Sequence, residues 1–325
     1  MNMKNQSLKL IGFCAVLSTM SSCSNDTYRH DEIVQETYIH KYGVEVPPSD
    51  WTERGQHGKV ISMLKNGVEV TQTYAAGILD GEVSYTFPHS STIEKVEQYS
   101  LGTLTQTTLY FASGDPRQQT QYLPDGSLAV TYWYETGSPK ATEQLDAQGR
   151  IVKGEYYDPQ HATDSTVSNY EGMRVLRDEY GQIVSQDAIQ GGMMASCTTF
   201  YSNGSPKEVT SYDNGVISGV KKTYLPDGEP NTIETWTNGR QQGITTAFQN
   251  GQKYADITYQ NGIKNGIERR YRDGSQLAEE ISWLGEVKHG RCVSYVAGVE
   301  KVEWFYKGQP TTQANFDLSS NSVIR

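Results

Sequence analysis

The side chains able to do chemistry are few and far apart. Six histidines (His30, His40, His57, His89, His161 and His289) and four cysteines are spread over 325 residues. No His-x-x-x-His, close cysteine pair or Asp-x-Asp-x-Asp-Gly spacing occurs, so no metal and no cofactor is expected. His57-Gly58 and His289-Gly290 each put an imidazole before a glycine, a setting that reads as turn structure rather than catalysis. Ser138 and Ser205 sit in a recurring Gly-Ser-Pro-Lys run, at 137–140 and 204–207. A serine nucleophile needs a strand-to-helix elbow with its own oxyanion donors, whereas proline here fixes φ at the start of a strand. Glu279-Glu280 could mimic a glycosidase pair, but adjacent residues on a strand point to opposite faces and cannot flank one bond. No catalytic residue and no enzyme activity is therefore expected.

What positions these side chains is a ladder of glycines. Between Gly55 and Gly308 a glycine falls about every eleven or twelve residues, usually with an aromatic three positions before it and often Asn or Asp directly before it. In the second half the steps are Gly204, Gly215, Gly228, Gly239, Gly251, Gly262, Gly274, Gly285, Gly298 and Gly308, so alternate glycines lie roughly 23 residues apart. A period of that length means a solenoid or array.

Asn-Gly and Asp-Gly tolerate the positive φ that tight hairpin turns require. They recur from Asn66-Gly67, Asp80-Gly81 and Asp125-Gly126 through Asp273-Gly274. Between them lie strand-length runs rich in β-branched and aromatic residues, such as 220–224, 244–248, 255–259 and 267–271. Two turn kinds alternate. In one, Asn-Gly is followed by a second glycine four positions on (Gly215 to Gly219, Gly239 to Gly243, Gly262 to Gly266). In the other, an aromatic leads into Asp-Gly or Asn-Gly and then a polar pair, as at 224–228 and 271–274. The pattern predicts an all-β fold, an elongated single-layer antiparallel meander with one hairpin per repeat. About 22 strands at roughly 4.8 Å would extend something like 100 Å. Cys197 and Cys292, about eight strands apart, are then too distant for a disulfide and are expected as free thiols. Tyr122, Tyr134, Tyr201, Tyr212, Tyr224, Tyr259 and Tyr271 would line up along the array, where they could stack sugars or peptide rings or, more simply, pack neighbouring hairpins.

Composition agrees. Tyr (22) and Gly (31) are heavily used, Phe (7) and Met (7) are not, and only 36% of residues are hydrophobic, with a mean hydropathy of -0.62. A formal charge of -10 and the lack of any basic block argue against a nucleic-acid partner.

The N-terminus is a separate object. Lys4 and Lys9 precede or flank a short apolar run, 10–17, that ends in Met20-Ser21-Ser22-Cys23. Such a run is too short to span a bilayer and suffices for a secretory signal. The small residues before Cys23 resemble a bacterial lipobox, with cleavage between Ser22 and Cys23 and lipid on Cys23; Met20 stands where leucine is usual. The alternative is a signal cleaved elsewhere with Cys23 incidental. Several acyl chains would make the membrane a stable partner, and Ser24 favours the outer over the inner membrane. Residues 23–50, with Pro47-Pro48 and no ladder, read as lipidated cysteine and tether. Tyr38, Ile39, Tyr42 and Val44 could form a capping first strand after about residue 35. The repeats occupy 51–308, and 309–325 reads as a polar tail.

The runs Tyr259-Gln-Asn261-Gly262-Ile-Lys-Asn-Gly266, Tyr271-Arg-Asp273-Gly274 and Trp283-Leu-Gly285-Glu-Val-Lys-His289-Gly290 resemble MORN repeats, in the divergent bacterial form called YwqK-family antitoxin-like proteins. The resemblance spans about 53–308, is strongest over 199–308, and slips near 86–92 and 158–170, where longer loops or bulges are expected. It implies a MORN-like twisted sheet with binding or scaffolding roles. The function expected is that of a membrane-anchored, non-enzymatic platform for an unknown protein or envelope partner. An antitoxin that neutralises a toxin is the alternative, and a glycan- or lipid-acting enzyme is third, without a motif behind it.

Overall fold

A computed structural model describes residues 32–321. The signal segment, Ser22 and Cys23 lie outside the described residues. Among those described, 27 strands and two short helices follow one another along the chain, and the protein is an all-β antiparallel meander. It divides into two compact units, residues 32–137 with 143–150, and residues 138–142 with 151–321.

In the first unit the strand Ile33–His40 pairs on one side with the two-residue strand Glu45–Val46 and on the other with Gly58–Leu64. From there each strand pairs antiparallel with the next, through Glu69–Ala75 and Ile78–Thr86 to Leu128–Trp133. Strand Ile33–His40 starts two residues before the expected end of a tether. Of the four residues assigned to a cap, Tyr38 and Ile39 are in it, whereas Tyr42 and Val44 stay 77% and 59% exposed. Pro47-Pro48 opens a helix, α1 (Pro48–Glu53), in which Pro48 occupies the first turn, where its missing N–H is not needed. Helix α1 inserts Trp51, 4% exposed, against Tyr38 and Tyr74 at ring separations of 5.7 and 6.3 Å. This cluster and a second, of Leu64, Val68, Val70 and Val83, are apolar cores of the first unit. A repeat boundary at residue 51 is thus misplaced, because it cuts through this helix.

The second unit repeats the same step from Ile151–Tyr157 to Gln309–Thr311. Its two turn kinds have distinct geometries. At Asn214-Gly215, Asn238-Gly239 and Asn261-Gly262 both central residues have positive φ, 53° and 83° in the last case; this is the primed turn whose twist suits a hairpin. At Gly204 and Gly228 only the glycine is left-handed, and the loop is closed by bonds such as Gly204 N–H to Tyr201 O at 2.9 Å. The alternation breaks down toward the C-terminus. Asn250-Gly251 and Asp273-Gly274 also have two positive φ values, so the run at 271–274 belongs with the tight turns. Asp80-Gly81 is not a hairpin turn either. It lies inside Ile78–Thr86 at a register shift, and the turn is Ala76-Gly77.

The expected polar tail, 309–325, is structured over its described residues: Gln309–Thr311 pairs with the strand Val299–Tyr306, and helix α2 (Gln313–Asn321) follows. Phe316 on α2 supplies the reason, packing 5.2 Å from Trp304 and 5.1 Å from His289.

Candidate functional site

The repeats of the second unit build two unlike sheet faces framed by turns. On one face, the register aligns Arg174, Asp187, Cys197, Thr210, Lys221 and Glu234 across successive strands. Arg174 donates to Asp187 at 2.8 Å, and Asp187 is only 1% exposed. Further along, Glu268, 2% exposed, accepts from Arg270 at 2.7 Å and lies 3.6 Å from the Lys264 ammonium. Beside this row, rings stand opposite glycines: Trp236 to Gly219, Tyr259 to Gly243, Trp283 to Gly266 and Phe305 to Gly290. Lys221, Lys264 and Lys288 lie over three of those rings, at 5.8, 5.1 and 5.0 Å.

Long side chains therefore cover this face, and the polar groups buried on it are only partly satisfied: Asp187 Oδ1, Glu268 Oε2 and the Trp283 indole N–H have no hydrogen-bond partner. Burial, and then the Asp187 carboxylate, pushes the Cys197 thiol up to about 12. Tyr259 is raised by burial, then by Glu286, Glu234 and Glu268. Neither group is poised to react at neutral pH.

The opposite face is bare. Val220 pairs with Thr235, Ile244 with Thr258 and Ile267 with Ser282, and the three aliphatic residues are 43%, 56% and 42% exposed. The Thr258 hydroxyl donates to Ile267 O at 2.8 Å and that of Ser282 to Arg291 O at 2.7 Å, so hydroxyl groups are spent on the backbone. Two ion pairs lie on this face, Arg269 with Glu280 at 2.8 Å and Lys253 with Asp256, and Lys222 stands exposed beside Val220. Burial pushes the Asp256 carboxyl up, but hydrogen bonds from Lys253, Thr246 and Tyr271 outweigh it and hold it below the usual range.

Consecutive hairpins are tied at their turns. The Gly262 N–H donates to Gln241 O and the Asn261 N–H to the Gln242 side chain, both at 2.8 Å. The same double contact joins Gly77 and Ala76 to Gln56 O and His57 Nδ1, and Gly308 and Lys307 to Lys288 O and His289 Nδ1. Asp80 and Glu171 play the side-chain part for Leu101 and Gly191.

The residues singled out from sequence fall as follows. Gly204, Gly215, Gly228, Gly239, Gly251, Gly262, Gly274 and Gly285 all have positive φ at turns. Ser205 donates to Asn203 Oδ1 at 2.7 Å and Pro226 O at 2.9 Å. Glu279 and Glu280 pair with different arginines, Arg270 and Arg269. Cys197 and Cys292 are free thiols. The tyrosines do not form one row: Tyr259 lies on the covered face, whereas Tyr271 bonds Asp256 on the bare one at 3.0 Å, because register shifts within the hairpins change which face a turn-proximal ring reaches. Among the described residues there is no group of His, Cys, Asp and Glu able to hold a metal, and no helix long and apolar enough to cross a membrane.

The signal missed in the sequence is the Ser/Thr that precedes the aromatic, and the separate role of the second glycine, in the runs at 73–81, 211–219, 235–243 and 258–266. That glycine sits at a bulge; a Cβ on Gly266, at φ +119°, would come 3.0 Å from Thr258 Cγ2. In three of these runs the aromatic is laid opposite a glycine of the preceding strand, Tyr74 to Gly58, Trp236 to Gly219 and Tyr259 to Gly243.

No protein-family model and no curated protein matches the chain. Among solved structures, it is similar to a porin-like protein from Bacteroides uniformis at 12% identity and TM-score 0.16, over 78% of this chain and 88% of that one. BamB from Moraxella catarrhalis is similar at 11% identity and TM-score 0.14, over 77% and 82%. Likeness at this level says nothing of what the chain binds.

Proposed function

We propose that this protein is a non-enzymatic binding platform of the cell envelope, anchored through lipid on Cys23 and built of MORN-like repeats. The observation that carries the binding reading is the exposed aliphatic row Val220, Ile244 and Ile267 on a sheet face that also holds the ion pairs Arg269–Glu280 and Lys253–Asp256. Such a face offers a line of apolar area rather than a cluster of one charge sign, which favours a protein over a charged ligand.

Capture from detergent-solubilised envelope tests this reading. The wild-type chain should retain a partner that the combined Val220→Lys, Ile244→Lys and Ile267→Lys variant loses while its thermal unfolding is unchanged. One stoichiometric toxin partner, with toxicity on deletion of the gene, would instead make the protein an antitoxin. Hydrolysis abolished by a single carboxylate substitution would overturn both. For the anchor, Cys23→Ala should abolish palmitate labelling and release the chain to the soluble fraction; unchanged labelling refutes it.

A further inference from the structure

Seven asparagines stand directly before a glycine, at 66, 203, 214, 238, 250, 261 and 265. Such an asparagine can react with its own backbone. The glycine amide nitrogen, once it has lost its proton, attacks the side-chain carbonyl carbon; the N–Cγ bond forms, the Cγ–Nδ2 bond breaks and ammonia leaves. Water then opens the cyclic imide at either carbonyl, which gives aspartate or its β-linked isomer. The attack requires the turn to open so that the nitrogen can reach Cγ, and it is favoured by a glycine N–H that no carbonyl holds.

Four of the seven sit in the same tight turn. Asn214, Asn238, Asn250 and Asn261 have φ of 50°, 50°, 51° and 53°, each followed by a glycine of positive φ, and they differ in what holds that glycine. The Gly239 N–H donates to Ile217 O and the Gly262 N–H to Gln241 O, both at 2.8 Å, and the Gln242 side chain also accepts the Asn261 N–H. Among the described residues no acceptor takes the N–H of Gly215 or of Gly251, and both of these turns are exposed. The remaining three are restrained in other ways. The Gly67 and Gly204 N–H groups bond Leu64 O and Tyr201 O at 2.9 Å, and Asn265 lies inside the strand Ile263–Arg272 with its side chain on Gln260 at 2.7 Å.

We infer that Asn214 and Asn250 are sites of spontaneous deamidation, whereas Asn238 and Asn261 are protected by the bonds that tie their turns to the preceding hairpin. The product matters to the sheet. A β-linked residue lengthens the backbone of a two-residue turn, and either product adds a carboxylate to a chain of formal charge -10. At Asn214 the side-chain amide now donates to Asp213 Oδ1 at 2.9 Å; that bond is lost with the amide, and repulsion between two carboxylates replaces it. At the other site the Glu229 carboxylate lies close to Gly251. Asn214 precedes the strand Val216–Tyr224, which carries Val220, and Asn250 follows Gly243–Gln249, which carries Ile244. The change therefore falls at the ends of strands that build the bare face.

The test is to incubate the full chain in mildly alkaline buffer and follow its peptides by mass spectrometry, with isoaspartate resolved from aspartate. Conversion at 214 and 250 should run about tenfold faster than at 238 and 261, the worth of about one hydrogen bond. In urea, where no tie exists, the four rates should converge. Gln242→Ala removes the acceptor of the Asn261 N–H and should speed conversion at 261 while leaving 214 and 250 unchanged. Equal rates in the folded chain overturn the inference. So does a ranking that persists in urea, which would trace it to flanking residues, or a rate at 261 that Gln242→Ala does not move.

Discussion

The two faces of the second unit are made from the same strands and residue classes, yet one shields itself and the other does not. On the covered face Lys221, Lys264 and Lys288 reach over rings, and the carboxylates Asp187, against Arg174, and Glu268, beside Lys264, are almost wholly buried. On the bare face short β-branched residues stand upright and cannot shield one another. In a single layer, side-chain length takes the place of a second sheet. The covered face contributes to stability, and the bare face is the one proposed to meet a partner.

The largest test of that contrast is chemical. With its thiol pushed up to about 12 from an ordinary 9.0, Cys197 should alkylate about a thousandfold more slowly in the folded chain than in urea at pH 8. Equal rates, followed by mass spectrometry of the 197 peptide, would mean that the face is open. Next, Trp283→Ala removes a ring together with its seat opposite Gly266, and should cost about 3 kcal/mol in denaturant unfolding. Glu268→Ala leaves Lys264 and Arg270 without their buried partner and should cost about 2 kcal/mol. Smallest is Ile244→Thr on the bare face, expected to stay within about 0.5 kcal/mol; a loss as large as that of Trp283→Ala would erase the distinction between the faces.

Turns were the most legible part of the sequence, because Asn-Gly states its φ requirement locally. The same dipeptide logic misassigned Asp80-Gly81, since a bulge glycine and a turn glycine make the same backbone demand. Helix α1 was hidden by Pro47-Pro48, which suits a tether as well as a helical first turn. Helix α2 was hidden by its polarity, since Phe316 alone anchors it among rings. His57 and His289 were readable as turn residues. Their acceptor role was not, for their partners lie 19 and 18 residues away and only folding brings them together. The distribution of tyrosines between faces was likewise out of reach, because one bulge per hairpin reverses the parity that a linear count assumes.

The paired turn-to-turn bonds also have a mechanical meaning. A chain pulled from its C-terminal end must break the two bonds at Gly308 and Lys307 before the ladder behind them can open, and then meets the next tie at the Glu286 N–H, held by Lys264 O at 3.1 Å. Resistance should thus rise and fall once per hairpin, with each yielding step releasing roughly 23 residues, or about 80 Å of extended chain. Such a sheet tears like perforated paper, in equal lengths from its end.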